Sequence, residues 1–164
     1  MRGDATNRSD ISVSEPSVQR GGLPAYVTPS AARSRNMAAV KRSNTKPEIA
    51  LRHALHAFGL RYRKDYPLRL GRKLIRPDIA FTRSRVAVFI DGCFWHRCPQ
   101  HGEVPATNVS FWSAKLEANV ARDREQDRLL SDAGWLVIRI WEHEPLDAAI
   151  TAVRAALTAR THIK

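Results

Sequence analysis

The segment Val86-Ala-Val-Phe-Ile90, closed at once by Asp91, constrains the fold more than any other stretch of this chain. Five consecutive apolar residues leave no polar face to turn to water, so the segment reads as a central strand covered on both sides. Three other short runs rich in Val, Ile, Phe, Trp or Tyr join it as strands: Arg61 to Tyr66, Pro77 to Thr82 and Trp135 to Trp141. Helical signals fall around them. Ser30 is placed to cap a helix through Lys41, with Met37 and Val40 three residues apart on one side as a core stripe. Thr45-Lys-Pro-Glu48 has capping-box spacing, Pro47 sits in the tolerant first turn, and Gly59 is a stop. Ser110 to Ala133 reads as a long helix ended by Gly134, and Pro145 to Arg160 as a final one. Together these elements predict an α/β sandwich, a mixed sheet of about four or five strands flanked by helices.

With 164 residues, 43% of them hydrophobic, the chain has material for one domain with an ordinary core. Residues 1–29, rich in Ser, Gly, Arg and Pro without apolar periodicity, read as a disordered basic arm, leaving 30–164 as the folded unit. The net charge is +11, and Arg33 to Arg85 holds fifteen Lys and Arg against Glu48, Asp65 and Asp78. So lopsided an excess points to a polyanionic partner, nucleic acid first. No membrane-length apolar stretch and no signal-peptide core is present, so a cytoplasmic protein is expected.

Two groups of residues carry chemistry. Asp78 opens one strand and Asp91 closes the next. A hairpin across Arg83-Ser-Arg85 would bring both carboxylates to one edge of the sheet, where with a backbone carbonyl near Ile90 they suit a magnesium ion. Glu48 would add a supporting or second-metal carboxylate. A salt bridge from Asp78 to Arg76 or Arg63 is the competing explanation. The second group is Cys93-x4-Cys98-x2-His101, with His143 just past the last strand: two thiolates and two imidazoles for a closed structural zinc site. The alternative is two reduced thiols and two surface histidines.

Between those cysteines, Phe94 and Trp95 are either core residues or a wedge that parts stacked base pairs. His96, not needed for zinc, is free as a general base or phosphate ligand. Trp112, Lys115 and Asn119 share one face of the long helix and suit a DNA surface better than a core, whereas Arg122 to Arg128 reads as the solvated side.

The stretches Ser34-Arg-Asn-Met37, Thr45-Lys-Pro-Glu48, Arg76-Pro-Asp78, Val88 through His96, Val104-Pro-Ala-Thr107, Phe111 through Lys115, Asn119-Val-Ala-Arg-Asp123 and Gly134-Trp135 through Glu142 resemble the very short patch repair endonucleases. The resemblance covers about residues 31–145. It implies a restriction-endonuclease-like fold and a magnesium-dependent nick 5′ to the mispaired thymine of a T:G mismatch left by 5-methylcytosine deamination. By the same match Asp78 and the Ile90 carbonyl bind magnesium, His96 is the catalytic base and Glu48 supports. Phe94, Trp95 and Trp112 enter the duplex, Met37 presses from the other groove, and Lys115 and Asn119 touch the mismatch. Expected partners are T:G-containing double-stranded DNA and other mismatch-repair proteins, with the enzyme a monomer near the nucleoid.

Asp91 stands where some relatives carry His, leaving it either to bind metal or to position a water. His143 falls where a Cys can stand. Two rival classes remain: a restriction-type or structure-specific nuclease on the same fold, and a catalytically inactive zinc-stabilised DNA-binding module.

Overall fold

A computed structural model describes residues 43–161; the expected helix over 30–41, with Met37, and the arm over 1–29 lie outside the described residues. In chain order the elements are α1 (Lys46–Ala57), β1 (Arg63–Lys64), β2 (Leu68–Leu70), β3 (Lys73–Ile75), β4 (Ile79–Phe81), β5 (Val86–Asp91), α2 (Val109–Asp132), β6 (Leu136–Trp141) and α3 (Leu146–Thr161). The expected four-stranded frame is present as a mixed sheet ordered β1-β4-β5-β6. β4 runs antiparallel to β1 and β5, and β6 runs parallel to β5.

The central strand is covered on both faces, as its continuous apolar sequence requires. Val86 and Val88 point to one side, where they pack with Leu51, Leu55, Ile140, Ala149 and Val153 under α1 and α3. Ala87 and Phe89 point to the other, packing with Leu68, Ile75 and Leu130 under α2. Each buried Val or Leu of this kind contributes about 1.5–3 kcal/mol.

Helix ends follow their local signals. Gly134 (φ 80°) closes α2, with Trp135 donating to the Leu130 carbonyl (2.9 Å) and Gly134 to that of Ser131 (2.9 Å). This is a Schellman arrangement, whose left-handed residue costs a glycine no Cβ clash. At the start of α1 the capping box is shifted by one residue. Glu48 accepts from the backbone N–H of Asn44 (2.8 Å) instead of that of Thr45, and the Thr45 hydroxyl donates to Glu48 (3.0 Å).

The hairpin β2-β3 was not foreseen. Its strands contain Leu, Arg and Lys, weak strand formers, and it exists because Leu68 and Ile75 are buried against Ala87, Phe89 and Leu130. Conversely, only Arg63–Lys64 of the expected Arg61 to Tyr66 strand pairs, as a short edge beside β4.

Candidate active site and metal cluster

Asp78 precedes β4 by one residue, and its Oδ2 accepts the Ile90 backbone N–H at 2.8 Å, taking the place of a ladder bond beside the end of β5. Its Oδ1 has no hydrogen bond among the described residues, and neither Arg76 nor Arg63 pairs with it; Arg76 donates to the Asp65 carbonyl (3.2 Å). Burial raises the Asp78 carboxyl to about 6, the Ile90 bond opposes this, and the charges of Glu48, Asp65 and Asp91 add to the rise. A half-buried acid with a free oxygen, three acidic neighbours and no counter-ion among the described residues fits a cation site.

Asp91, expected either to bind metal or to position a water, is paired with an arginine. It is 4% exposed, and Arg139 donates to both of its oxygens, at 2.8 and 2.9 Å. Arg139 also meets Asp127 (3.0 Å) and Asp123 (3.5 Å), so one guanidinium gathers three carboxylates beneath α2. Burial raises the Asp91 carboxyl, while Arg139 pulls it back. One nitrogen, Arg139 Nη1, is shared between both Asp91 oxygens, so Asp91 is committed first to an internal ion pair. Glu48 is likewise engaged, by Asn44, Thr45 and Arg52 (3.4 Å).

His96 sits four residues past Gly92, where its own N–H closes a turn onto the Gly92 carbonyl (3.1 Å). Its Nδ1 meets Asp123 Oδ2 at 2.5 Å and lies 3.7 Å from Asp91. Burial disfavours the imidazolium, but the Asp123 bond and the charges of Asp91 and Asp123 outweigh it and raise the His96 pKa. Because Nδ1 faces Asp123, Nε2 is the nitrogen left to exchange a proton. Asp123, Asp127 and Arg139 were missed from sequence. The signals were a lone Arg in the apolar run Leu136 to Trp141 and two acids one helical turn apart within a stretch read as solvated.

The four soft ligands converge. The ligand atoms of Cys93, Cys98, His101 and His143 all lie within 4.8 Å of one another. His143 Nδ1 is 3.0 Å from Cys93 Sγ and 3.7 Å from Cys98 Sγ, and His101 Nδ1 is 3.9 Å from each sulfur. Tetrahedral zinc with these ligand types has S···N edges of about 3.6 Å. The group therefore fits a metal ion. Sheet register explains the meeting: Asp91 pairs with Trp141, so two residues further on Cys93 faces His143. Without metal, burial and the adjacent Cys98 push the Cys93 thiol up to about 11; ion binding there must release a proton.

Phe94, Trp95, Phe111 and Trp112 form one aromatic block, with Phe94 5.0 Å from Trp95 and 5.4 Å from Trp112 between centroids. Lys115 Nζ stands 5.5 Å over Trp112 and 5.7 Å over Trp95 and Phe111. Asn119 donates to the Trp95 carbonyl (3.1 Å) and accepts from Arg122. Trp112, expected on an open surface, is 5% exposed and forms the floor of the block, whereas Phe94 and Trp95 are half-buried above it. Entry of Trp112 into a duplex would require the block to open.

Comparison with known proteins identifies the family. A family model described as DNA mismatch endonuclease Vsr matches residues 26–100. The chain is 60% identical over 124 residues to the type II nicking enzyme V.NaeI of Lentzea aerocolonigenes, covering 75% of each protein. It is 39% identical over 123 residues to the type II nicking enzyme V.XorIIP of Xanthomonas oryzae, 72% of this chain and 85% of that one. With the DNA mismatch endonuclease Vsr of Escherichia coli it shares 37% over 113 residues, 68% of this chain and 70% of that one. On these matches the chain belongs to the Vsr family of endonucleases, whose fold class, that of the restriction endonucleases, agrees with the α/β sandwich and mixed sheet seen here.

Proposed function

We propose that this endonuclease hydrolyses one phosphodiester of duplex DNA, with magnesium, on the 5′ side of the mispaired thymine in a T:G mismatch. The observation that carries the hydrolytic part is the unpaired Asp78 together with the Asp123-oriented His96. Asp78 Oδ1 and the main chain at Ile90 would hold magnesium, which when bound supplies positive charge for the phosphate and lowers the pKa of a coordinated water. His96 Nε2 receives a proton from the attacking water, and Asp123 holds the imidazole in the tautomer that makes this possible. Asp91 acts through Arg139 and His96 as a positioning group, and Glu48 adds negative charge near Asp78. Zinc at Cys93, Cys98, His101 and His143 would be structural, since four protein ligands leave no open position for substrate.

The mismatch preference is supported by the aromatic block. Phe94 and Trp95 stand on a loop that the metal cluster ties at Cys93 and Cys98, which is suited to presenting a rigid wedge to a weakened base step. Lys115 and Asn119 are beside it, within reach of the mispaired bases. Trp112 supports the wedge from below.

The test is nicking of T:G-containing, C:G-containing and single-stranded oligonucleotides, with and without magnesium, by the wild type and by Asp78→Ala. Magnesium-dependent nicking of the T:G duplex alone, lost in Asp78→Ala with binding retained, is the expected result. Trp95→Ala should narrow the preference for T:G. That two relatives are type II nicking enzymes favours one alternative: a nicking enzyme on the same fold directed to a different target. Equal nicking of matched duplex would establish it.

A further inference from the structure

We propose that the outer face of the β2-β3 hairpin is a phosphate-contacting arm that holds duplex DNA beside the nick through Arg69 and Arg72. This rests on duplex DNA being the substrate and is independent of the T:G preference.

The hairpin is firmly seated. At its root Leu68 and Ile75 pair with each other and are buried. Near its tip Lys73 meets Glu125 of α2 at 3.2 Å. Side chains alternate across such a ribbon, so Arg69, between buried Leu68 and half-buried Leu70, points away from the core. It lies opposite Leu74, which is 46% exposed, and Arg72 occupies the turn.

The neighbouring cations are mostly occupied: Lys73 by Glu125, Lys64 by Asp65 (3.3 Å), and Arg76 by the Asp65 carbonyl (3.2 Å). The guanidinium groups of Arg69 and Arg72 make no hydrogen bond or ion pair among the described residues. Two uncompensated planar cations on a braced ribbon match phosphate oxygens in charge and in fork geometry.

Chain length places them close to the reaction. Six residues separate Arg72 from Asp78, which bounds their Cα distance at about 21 Å. Arg69 is one cross-strand step of about 5 Å from Leu74, itself at most about 14 Å from Asp78. At 3.4 Å per base pair, and with the reach of the side chains added to these Cα bounds, both cations contact phosphates within about ten base pairs of the scissile bond. Cations on an exposed ribbon also discourage pairing with other strands, a role that leaves DNA affinity untouched.

The salt dependence of binding separates the two roles. Each phosphate neutralised contributes about 0.9 to the slope of log K against log salt. The double variant Arg69→Gln/Arg72→Gln keeps long polar side chains and removes both charges. Its slope should fall by about 1.8, so its deficit against wild type at 50 mM salt shrinks about twelvefold at 200 mM. The Arg69→Lys/Arg72→Lys protein should recover most of the slope. The loss should be the same on T:G-containing and fully matched duplexes, because phosphates carry no sequence information. An unchanged slope in a Gln variant with wild-type thermal unfolding overturns the proposal. So does a loss confined to the mismatched duplex, which would make the arm part of mismatch recognition. If the Gln variant unfolds, the Lys variant measured against single Arg72→Gln at the turn decides, with a slope difference below about 0.3 counting against the arm.

Discussion

Replacing Asp78 by Asn isolates what this half-buried carboxylate costs the fold. Its carboxyl is raised from 3.8 to about 6, by burial first and then by Glu48, Asp65 and Asp91, against the Ile90 hydrogen bond. An acid whose folded pKa exceeds its unfolded value stabilises the native state fully only below the unfolded value, and that contribution is lost as pH rises through the folded one. The loss therefore begins near pH 4 and is complete above about 7. At about 1.4 kcal/mol per unit, a shift of two units costs the metal-free native state up to about 3 kcal/mol at pH 8. Asn is neutral, nearly the same shape, and its amide oxygen can still accept the Ile90 N–H. Asp78→Asn should therefore unfold in urea with about 2–3 kcal/mol more stability than wild type at pH 8 without added magnesium, and only about a third of that at pH 4.5. Magnesium should narrow the gap by binding the wild type alone. The variant should not nick DNA. A variant no more stable than wild type at pH 8, or a gap that persists unchanged at pH 4.5, refutes the reasoning.

Three further outcomes follow from the same geometry. Asp123→Asn removes the group that raises the His96 pKa, so the acidic limb of the nicking rate should move to lower pH as turnover falls about tenfold or more; an unmoved limb excludes the pairing. Arg139→Leu leaves Asp91, Asp123 and Asp127 without their shared cation and should cost about 3 kcal/mol in urea unfolding, with a loss below about 1 kcal/mol counting against the network. Elemental analysis should find about one zinc per wild-type chain and less in Cys98→Ser, whose thermal midpoint should drop; a metal-free wild type discards the cluster.

The parts legible in the sequence were those set by local pattern. The apolar run of β5, the glycine that stops α2 and the spacing of Cys93, Cys98 and His101 each specify their neighbourhood without distant help. Asp78 drew notice as one of three acids among the fifteen Lys and Arg of Arg33 to Arg85, and its contact with the Ile90 N–H came only with the fold. What escaped depended on tertiary contact. The β2-β3 hairpin has weak strand propensity and is held by Leu130 and Phe89, far away in the chain. Asp123 and Asp127 look like ordinary surface acids until β6 brings Arg139 beneath them. Trp112, on a face shared with Lys115 and Asn119, suggested an open surface because the rings that cover it come from the loop after β5.

The pairing of Cys93 with His143 has a kinetic consequence. These two residues extend the parallel β5-β6 ladder past its last backbone rung, where the Glu142 N–H reaches the Asp91 carbonyl (3.0 Å) and the Glu142 carboxylate accepts the Cys93 N–H (2.7 Å). Parallel strands cannot be tied by a tight turn, so their ends are free to fray. A metal bridge there would act as a clasp on that fraying. Once it opens, amides at the ends of β5 and β6 should exchange with solvent before those of the strand centres, and His96 should leave Asp123 in the same opening event. Loss of the ion would thus silence catalysis through a local opening while most of the sheet remains folded.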